Sequence, residues 1–303
     1  MMINKRESPK IVVVGSSSID LVLTANHIPL SNETVIADRF ENFFGGKGAN
    51  QAVATARLGA SVHFVSCVGM DPLGQQVMRN LIDEGINVGF VAETEDASTG
   101  TAYVTTAKGE NAIVVVPAAN FELRKRHIED ADKVISAADL LLIQLEIPIE
   151  VVEFTVRLAK KYGTEVGIYA SPAHALSQDI LDYAKFIIVK SSELETVFGT
   201  ELRDEVLKKY PNKLFVRDDM NATIYYNGSE MKYFREECEN NSHKIGMGDA
   251  FTSGLAIALC HKNSIEDSVK FGNQVSLKVA VQRGSQSSLP FLKDFYPSKK
   301  SYS

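Results

Sequence analysis

The chain has 303 residues, of which 45% are hydrophobic and 23% charged, and its net charge is −6 at pH 7. This composition is that of a globular protein, and its acidic balance argues against broad binding to nucleic acid or to an anionic membrane. Three cysteines without a CxxC pair suggest no disulfide scaffold, and no apolar run approaches the ~20 residues that span a bilayer. We therefore expect a cytoplasmic protein that acts on small molecules.

Six short apolar runs alternate along the chain with amphipathic segments. The runs are nearly continuous, as in parallel strands that are covered on both faces. Apolar spacing over 73–82 and 151–162, each followed by a glycine, predicts helices. The pattern predicts an α/β fold with a doubly wound, mainly parallel sheet flanked by helices, in a single domain over 1–303. The six runs are KIVVVG (10–15), VHFVSC (62–67), LLLIQL (140–145), EVGIYA (165–170), KFIIVK (185–190) and KLFVRD (213–218).

Two regions interrupt this alternation. Residues 19–40 and 100–117 carry β-branched pairs around turns, with no helical segment between them. Such patterns are typical of antiparallel strands. We interpret both regions as parts of a small β-sheet that forms a lid.

The stretch GMGDAF (246–251) precedes an apolar helical pattern that begins near Asp249. The first N–H groups of a helix lack intrahelical acceptors, and glycines let an anion approach them closely. Gly246 and Gly248 therefore suggest an anion hole, with Asp249 beside it as a base that deprotonates a hydroxyl. An aspartate that only complements the helix dipole after a glycine turn stays an alternative at this point.

A second glycine cluster, GGKGANQ (45–51), also precedes a helical pattern. It is not a Walker A loop, because Lys47 is followed by Gly48 rather than by serine or threonine. The cluster offers a flexible backbone, the Lys47 cation and the Asn50 amide, which together suit a polyhydroxylated or anionic ligand. A simple glycine-rich turn is the alternative.

Several motifs together resemble the ribokinase-like (phosphofructokinase-B) family of carbohydrate kinases over residues 10–290. The pair GGKGAN and GxGD, about two hundred residues apart and in this order, is the most specific part of the likeness. GGKGANQA is similar to the ribokinase branch in particular. The other matching segments are GSSSID (15–20), VGMDPLG (68–74), STGTAYV (98–104) and QLEIP (144–148).

The resemblance implies ATP-dependent phosphorylation of the primary hydroxyl of a pentose, foremost D-ribose to D-ribose 5-phosphate, with Mg²⁺. By the same resemblance, Asp249 is the catalytic base, and Gly246, Met247 and Gly248 form the anion hole. It further implies a homodimer that pairs through the lid. The implied sugar-binding residues are Ser18, Asp20, Gly46, Lys47, Asn50 and Glu146.

The departures from the family pattern cluster on the nucleotide side. Ser192-x-x-Glu195 stands for Asn-x-x-Glu, so the resemblance implies Glu195 for the metal network and Ser192 near the nucleotide. Arg217 and Asp219 fall within a segment that is usually Thr-Leu-Gly beneath the nucleotide, which makes both of them candidates for nucleotide contact.

His243 and Lys244 replace the Asp-Thr of a monovalent-cation site. We hypothesise that Lys244 takes over the electrostatic role of the cation. A lysine that points into solvent, with the ion still bound through backbone carbonyls, is the alternative.

Two other functions stay open at this stage. Ser18 replaces an asparagine near the sugar, so the substrate could be deoxyribose, a ketose or a nucleoside. Because several residues on the nucleotide side depart from the family pattern, the chain could instead be a sugar-binding protein with impaired phosphoryl transfer.

Overall fold

The computed structural model describes residues 8–218, 222–235, 245–280 and 284–296. The strands in these ranges are β1 Lys10–Val14, β2 Ser18–Thr24, β3 Arg39–Gly45, β4 Ser61–Gly69, β5 Asn87–Thr94, β6 Thr101–Ala107, β7 Glu110–Val116, β8 Leu140–Gln144, β9 Val166–Tyr169, β10 Phe186–Lys190, β11 Leu214–Arg217, β12 Thr223–Tyr226 and β13 Met231–Phe234. The α-helices are α1 Lys47–Arg57, α2 Pro72–Asp83, α3 Lys125–Asp130, α4 Asp132–Ser136, α5 Ile149–Tyr162, α6 Gln178–Tyr183, α7 Leu194–Phe198, α8 Arg203–Lys209, α9 Met247–Cys260 and α10 Ile265–Val279.

The central sheet has the strand order β13-β12-β11-β10-β9-β8-β1-β4-β5. All neighbours from β11 to β5 pair in parallel, and only β12 and β13 run antiparallel at one edge. The six apolar runs of the sequence are the six strands β1, β4, β8, β9, β10 and β11. The predicted doubly wound, mainly parallel sheet is thereby confirmed.

Helices cover both faces of this sheet, which explains why its strands are apolar on both sides. One core layer contains α1, α2, α9 and α10, and the other contains α3 to α8. The predicted helix over 151–162 is α5, and it ends at Gly163 with a φ of 74°, where glycine has no steric penalty. None of the helices within the described ranges has the length and apolarity to cross a membrane.

A small sheet of the order β3-β2-β6-β7 lies apart from the central one. β2–β3 and β6–β7 are antiparallel, as the sequence suggests, but β2 and β6 pair in parallel and join the two halves. β3 occupies Arg39–Gly45, at the end of the first predicted region and beyond it. This sheet carries Ser18 and Asp20 on β2 and leads directly into α1, so it lies next to the predicted sugar residues.

Candidate active site

The two glycine motifs of the sequence meet at one place in the structure. Asn50, in the first turn of α1, donates from Nδ2 to Asp249 Oδ2 at 3.0 Å. Gly48 of α1 lies against the backbone of Gly15, which follows β1, and Gly248 of α9 lies against Tyr169 at the end of β9. Both helices therefore begin over the carboxyl ends of the central strands, where parallel α/β sheets bind ligands.

Gly246 and Gly248 are glycines for two different reasons. Gly246 precedes α9 with a φ of 84°, a left-handed conformation that other residues adopt only with strain. At Gly248 the constraint is space, because a Cβ there would lie 2.2 Å from the Tyr169 hydroxyl. The sequence argument, in which both glycines admit an anion, therefore omits constraints that come from within the protein.

This contact predicts that Gly248→Ala lowers kcat about tenfold. The added methyl must displace either Tyr169 or the first turn of α9, and overpacking of this kind typically costs about 1–3 kcal/mol. Steady-state kinetics of sugar phosphorylation measure the loss, and the second substitution Tyr169→Phe should restore part of it. Gly89→Ala on an exposed position of β5 is the control. Wild-type kcat in Gly248→Ala would rule out this constraint.

An ion pair joins the α1 motif to the end of β8. Lys47 Nζ lies 2.6 Å from Glu146 Oε1, and the Lys47 backbone N–H donates to Glu146 Oε2 at 3.1 Å. Ser16 Oγ donates to the same Oε2 at 2.5 Å. Both charged side chains keep 20–24% of their surface exposed, so the pair lines a cleft rather than filling the core. Such a pair presents both a donor and an acceptor to a sugar diol.

Asp20 reaches the same cleft from the small sheet. Its Oδ1 accepts a hydrogen bond from Ser18 Oγ at 3.1 Å. Gly46 is the N-cap of α1 with a φ of 86°, and a Cβ there would lie 2.5 Å from Ser17 Cα. The strand β2 and the start of α1 are thus in direct contact, and this contact brings Asp20 close enough to feel the charges of Lys47 and Glu146.

The carboxyl groups of this cleft differ in the direction in which their pKa values are shifted. Burial raises the pKa of Asp249 to about 6, against the opposing effect of Lys47, and burial likewise raises the pKa of Asp20 to about 6. For Glu146 burial also favours the neutral form, but Lys47 outweighs it and lowers the pKa. Glu146 is therefore a fixed negative charge, while Asp249 has the affinity for protons that a base at neutral pH needs.

On the predicted nucleotide side, Glu193 differs in burial and in hydrogen bonding from Ser192 and Glu195, the two residues that the sequence indicates. Ser192 and Glu195 are exposed. Glu193, at the end of the 3-10 turn that follows β10, accepts from Ser171 Oγ at 3.1 Å, and its Oε1 lies 3.3 Å from Lys190 Nζ. Its Oε2 is buried without a hydrogen-bond partner among the described residues. Glu193 is thus a further candidate on this side, which the sequence analysis did not select.

Arg217 is turned into the protein at the end of β11. Its guanidinium donates to Asn273 Oδ1 at 2.8 Å and to Ser276 Oγ at 3.1 Å, both on α10. It also lies 4.1 Å from the centroid of the Phe251 ring on α9. Ser276 in turn donates to the carbonyl of Met247 at 2.9 Å. Through these contacts, Arg217 and α10 hold the first turn of α9 in place.

Comparison with known proteins identifies the family of this chain. A model of the pfkB family of carbohydrate kinases matches residues 8–292. The chain belongs to this family. It is therefore a sugar kinase.

Similar pfkB kinases have been characterised in several organisms. The ribokinase of Bacillus subtilis (strain 168) is 33% identical over 280 residues, covering 92% of this chain and 96% of that relative. The deoxyribokinase of Salmonella typhi is 30% identical, with coverage of 94% and 97%. The structure of Arabidopsis thaliana ribokinase complexed with ribose and ATP superposes with a TM-score of 0.82 at 25% identity, covering 95% of this chain and 97% of that one.

Part of this kinase's predicted nucleotide side lies outside the described residues. Asp219, His243 and Lys244 are among them, so the contact of Asp219 with nucleotide and the replacement of a cation by Lys244 stay predictions. Asp218, the neighbour of Asp219, accepts from the Ala222 backbone N–H through Oδ1 at 2.8 Å. With the backbone hydrogen bond from the Asp218 N–H to the Ala222 carbonyl, it links the end of β11 to the start of β12.

The sequence argument missed two buried residues beside Asp249 of this pfkB kinase. Gln51 donates from Nε2 to Asp249 Oδ1 at 3.1 Å, and Tyr169 packs under Gly248. Gln51 directly follows Asn50 in the quoted motif, which was a usable signal. Tyr169 ends an apolar run and gives no sign in the sequence that it would meet α9.

Proposed function

We propose that the chain transfers the γ-phosphoryl group of ATP to the primary hydroxyl of D-ribose and releases D-ribose 5-phosphate. The observation that carries the proposal is the contact between Asn50 and Asp249, because it brings a base with a raised pKa into the predicted sugar cleft. Ribokinases of three bacteria and a yeast, 30–33% identical over at least 92% of this chain, support it.

The residues of the cleft divide the work of binding and orientation. Asp20 and Glu146 accept hydrogen bonds from sugar hydroxyls, and Lys47 and Asn50 donate to sugar oxygens. Ser18 holds Asp20 in place, and the Gly46 backbone packs closely against Ser17, which keeps β2 beside the start of α1. The sugar is thereby oriented with its primary hydroxyl towards Asp249.

Asp249 accepts the proton of that hydroxyl as its oxygen attacks the γ-phosphorus, while the bond from this phosphorus to the β,γ-bridging oxygen breaks and ADP leaves. With a pKa of about 6, its carboxyl group is mostly ionised at neutral pH and still basic enough to take a proton. The N–H groups of residues 246–248, at the positive end of α9, stabilise the negative charge of the transferring phosphoryl group. Arg217 keeps that helix end in place rather than contacting nucleotide directly.

On the nucleotide side, a carboxylate oxygen without a hydrogen-bond partner is a candidate to hold Mg²⁺. The buried Oε2 of Glu193 has no partner among the described residues, and the exposed Glu195 follows two residues later in the chain. When bound, Mg²⁺ neutralises charge on the β- and γ-phosphates. We propose that Glu193, with Glu195 and Ser192 nearby, holds the water network of the ion.

A panel of sugars tests the substrate assignment. ADP release is measured with Mg·ATP and D-ribose, 2-deoxy-D-ribose, D-fructose or adenosine, and D-ribose should give the highest kcat/KM. A higher value for deoxyribose would favour the second candidate, which the Salmonella typhi relative and the short Ser18 side chain support. Ribose binding by calorimetry without ADP release would identify a binding protein instead.

The small sheet is a candidate surface for homodimerisation. All seven residues of β7, an edge strand, are exposed. On the neighbouring strand Tyr103, opposite Val114, is 50% exposed, and Val114 itself is 65% exposed. An edge strand whose apolar side chains are exposed on both faces is prone to pair with another chain. We propose that a second copy of this chain covers it and that the small sheet is the lid of a single kinase domain.

We expect the double substitution Ile113→Lys and Val114→Lys, one on each face of β7, to convert the dimer into a monomer. Two buried ammonium groups without partners would cost more than the apolar contacts contribute. Sedimentation equilibrium measures the mass. Leu202→Lys, another exposed apolar position (76%), is the control and should stay dimeric. A double variant with the wild-type mass would contradict this interface.

The cellular setting and the cation requirement complete the proposal. ATP as donor and the buried, reduced Cys67 suit a cytoplasmic enzyme. Activity independent of potassium is expected if Lys244 substitutes for the cation. Initial rates in sodium, potassium and tetramethylammonium chloride at equal ionic strength would decide between that and a retained ion.

A further inference from the structure

Two buried amides connect the end of β8 to Asp249. Gln144 donates from Nε2 to Gln51 Oε1 at 2.6 Å, and Gln51 donates from Nε2 to Asp249 Oδ1 at 3.1 Å. Both glutamines are fully buried. Asn50 donates to the other oxygen of Asp249, so each carboxylate oxygen has one amide donor.

The direction of these hydrogen bonds follows from the charge of Asp249. An ionised carboxylate only accepts, so Gln51 must turn its nitrogen to Asp249 and its oxygen away. That oxygen then needs a donor, which Gln144 supplies. This orientation leaves the Gln144 Oε1 atom buried without a hydrogen-bond partner among the described residues, which is energetically unfavourable.

We infer that Gln51 and Gln144 are positioning residues that hold Asp249 in the orientation and in the ionised state required of a base. Gln51 acts directly on the carboxylate, and Gln144 acts by fixing which end of the Gln51 amide faces it. The inference rests on the proposed function, because it takes Asp249 as the base.

The other groups that face Asp249 set the direction of the expected effect. Burial raises its pKa most, Lys47 on α1 lowers it, and Glu146 after β8 raises it. The phenol of Tyr169 on β9 is neutral at physiological pH, because burial and the charge of Asp249 raise its own pKa. The hydrogen bond from Gln51 stabilises the ionised carboxylate against the effect of burial. Without this donor, the pKa of Asp249 should rise.

Three substitutions separate this role from simple packing. Gln51→Met removes the donor at similar volume, and the acid limb of the pH profile of kcat should move up by about one unit. Gln144→Met should move it less. Gln144→Glu should act more strongly than Gln144→Met, because a carboxylate at position 144 makes Gln51 donate to it and present its oxygen to Asp249. Gln286→Met, at a buried glutamine bonded to Asn80, is the control and should leave the limb unchanged.

A direct titration makes the result independent of turnover. Carbon-13 NMR of labelled aspartate, with Asp249 assigned from Asp249→Asn, reports the carboxyl pKa in each variant, and thermal unfolding checks that the variants are folded. An unchanged pKa in both folded Gln51→Met and folded Gln144→Glu would overturn the inference. A raised pKa in folded Gln51→Met or folded Gln144→Met supports it, whereas a rise confined to Gln144→Glu reports the added negative charge and contradicts it. If the wild type then phosphorylated no sugar, only the proposed function would fail.

Discussion

Replacing Asp249 by asparagine is expected to lower kcat by about 10²–10⁴-fold, the usual contribution of a general base. The substitution keeps the shape of the side chain but removes its ability to take a proton. One amide N–H₂ group then faces the donors of Asn50 and Gln51, so one of these two side chains must turn. In the proposed site other residues form most of the contacts to the sugar, so its affinity should change far less than kcat.

Single-turnover kinetics and calorimetry with D-ribose measure the two quantities separately. In the wild type, kcat should fall below a pH of about 6, since protonation of Asp249 removes the base. Asp179→Asn, at an exposed aspartate on α6, is the matched control and should retain wild-type kcat. A kcat near wild type in Asp249→Asn would exclude Asp249 as the base.

Breaking the ion pair between Lys47 and Glu146 is expected to have the second largest effect. Lys47→Met removes the charged donor that we propose for the sugar and leaves Glu146 without its counter-ion, so ribose affinity should fall about 10–100-fold. The free energy of unfolding should fall by about 2 kcal/mol, less than for a fully buried pair, because both side chains are partly exposed.

The double variant Lys47→Met/Glu146→Gln separates stability from binding. Removing both charges should restore much of the free energy of unfolding, whereas ribose affinity should stay low because both ligands are lost. The exposed pair of Lys185 and Glu165, 2.8 Å apart, is the control, and its loss should cost under about 1 kcal/mol. Unchanged ribose affinity in Lys47→Met would remove this pair from the sugar site.

Local patterns were enough to predict the buried part of the fold. Continuous apolar runs identify the six inner parallel strands, because strands covered on both faces must be apolar throughout. Helical spacing with a terminal glycine identifies α2 and α5. β5 and β13 lie at the two edges of the sheet, where exposed faces blur the pattern, and β12, between β11 and β13, is only four residues long. The parallel pairing of β2 with β6 depends on partners more than seventy residues apart.

For the site, the sequence by itself was enough to propose which motifs carry the chemistry, since GGKGAN and GxGD show a cation, an amide, a carboxylate and helix starts locally. Only the tertiary structure decided which side chains face one another. It placed Gln51 and Gln144 in line behind Asp249, Tyr169 under Gly248, and Glu193 rather than Glu195 with a free buried oxygen. These relations join separate strands and helices, and the direction of a side chain across such distances is set by packing, which no local pattern contains.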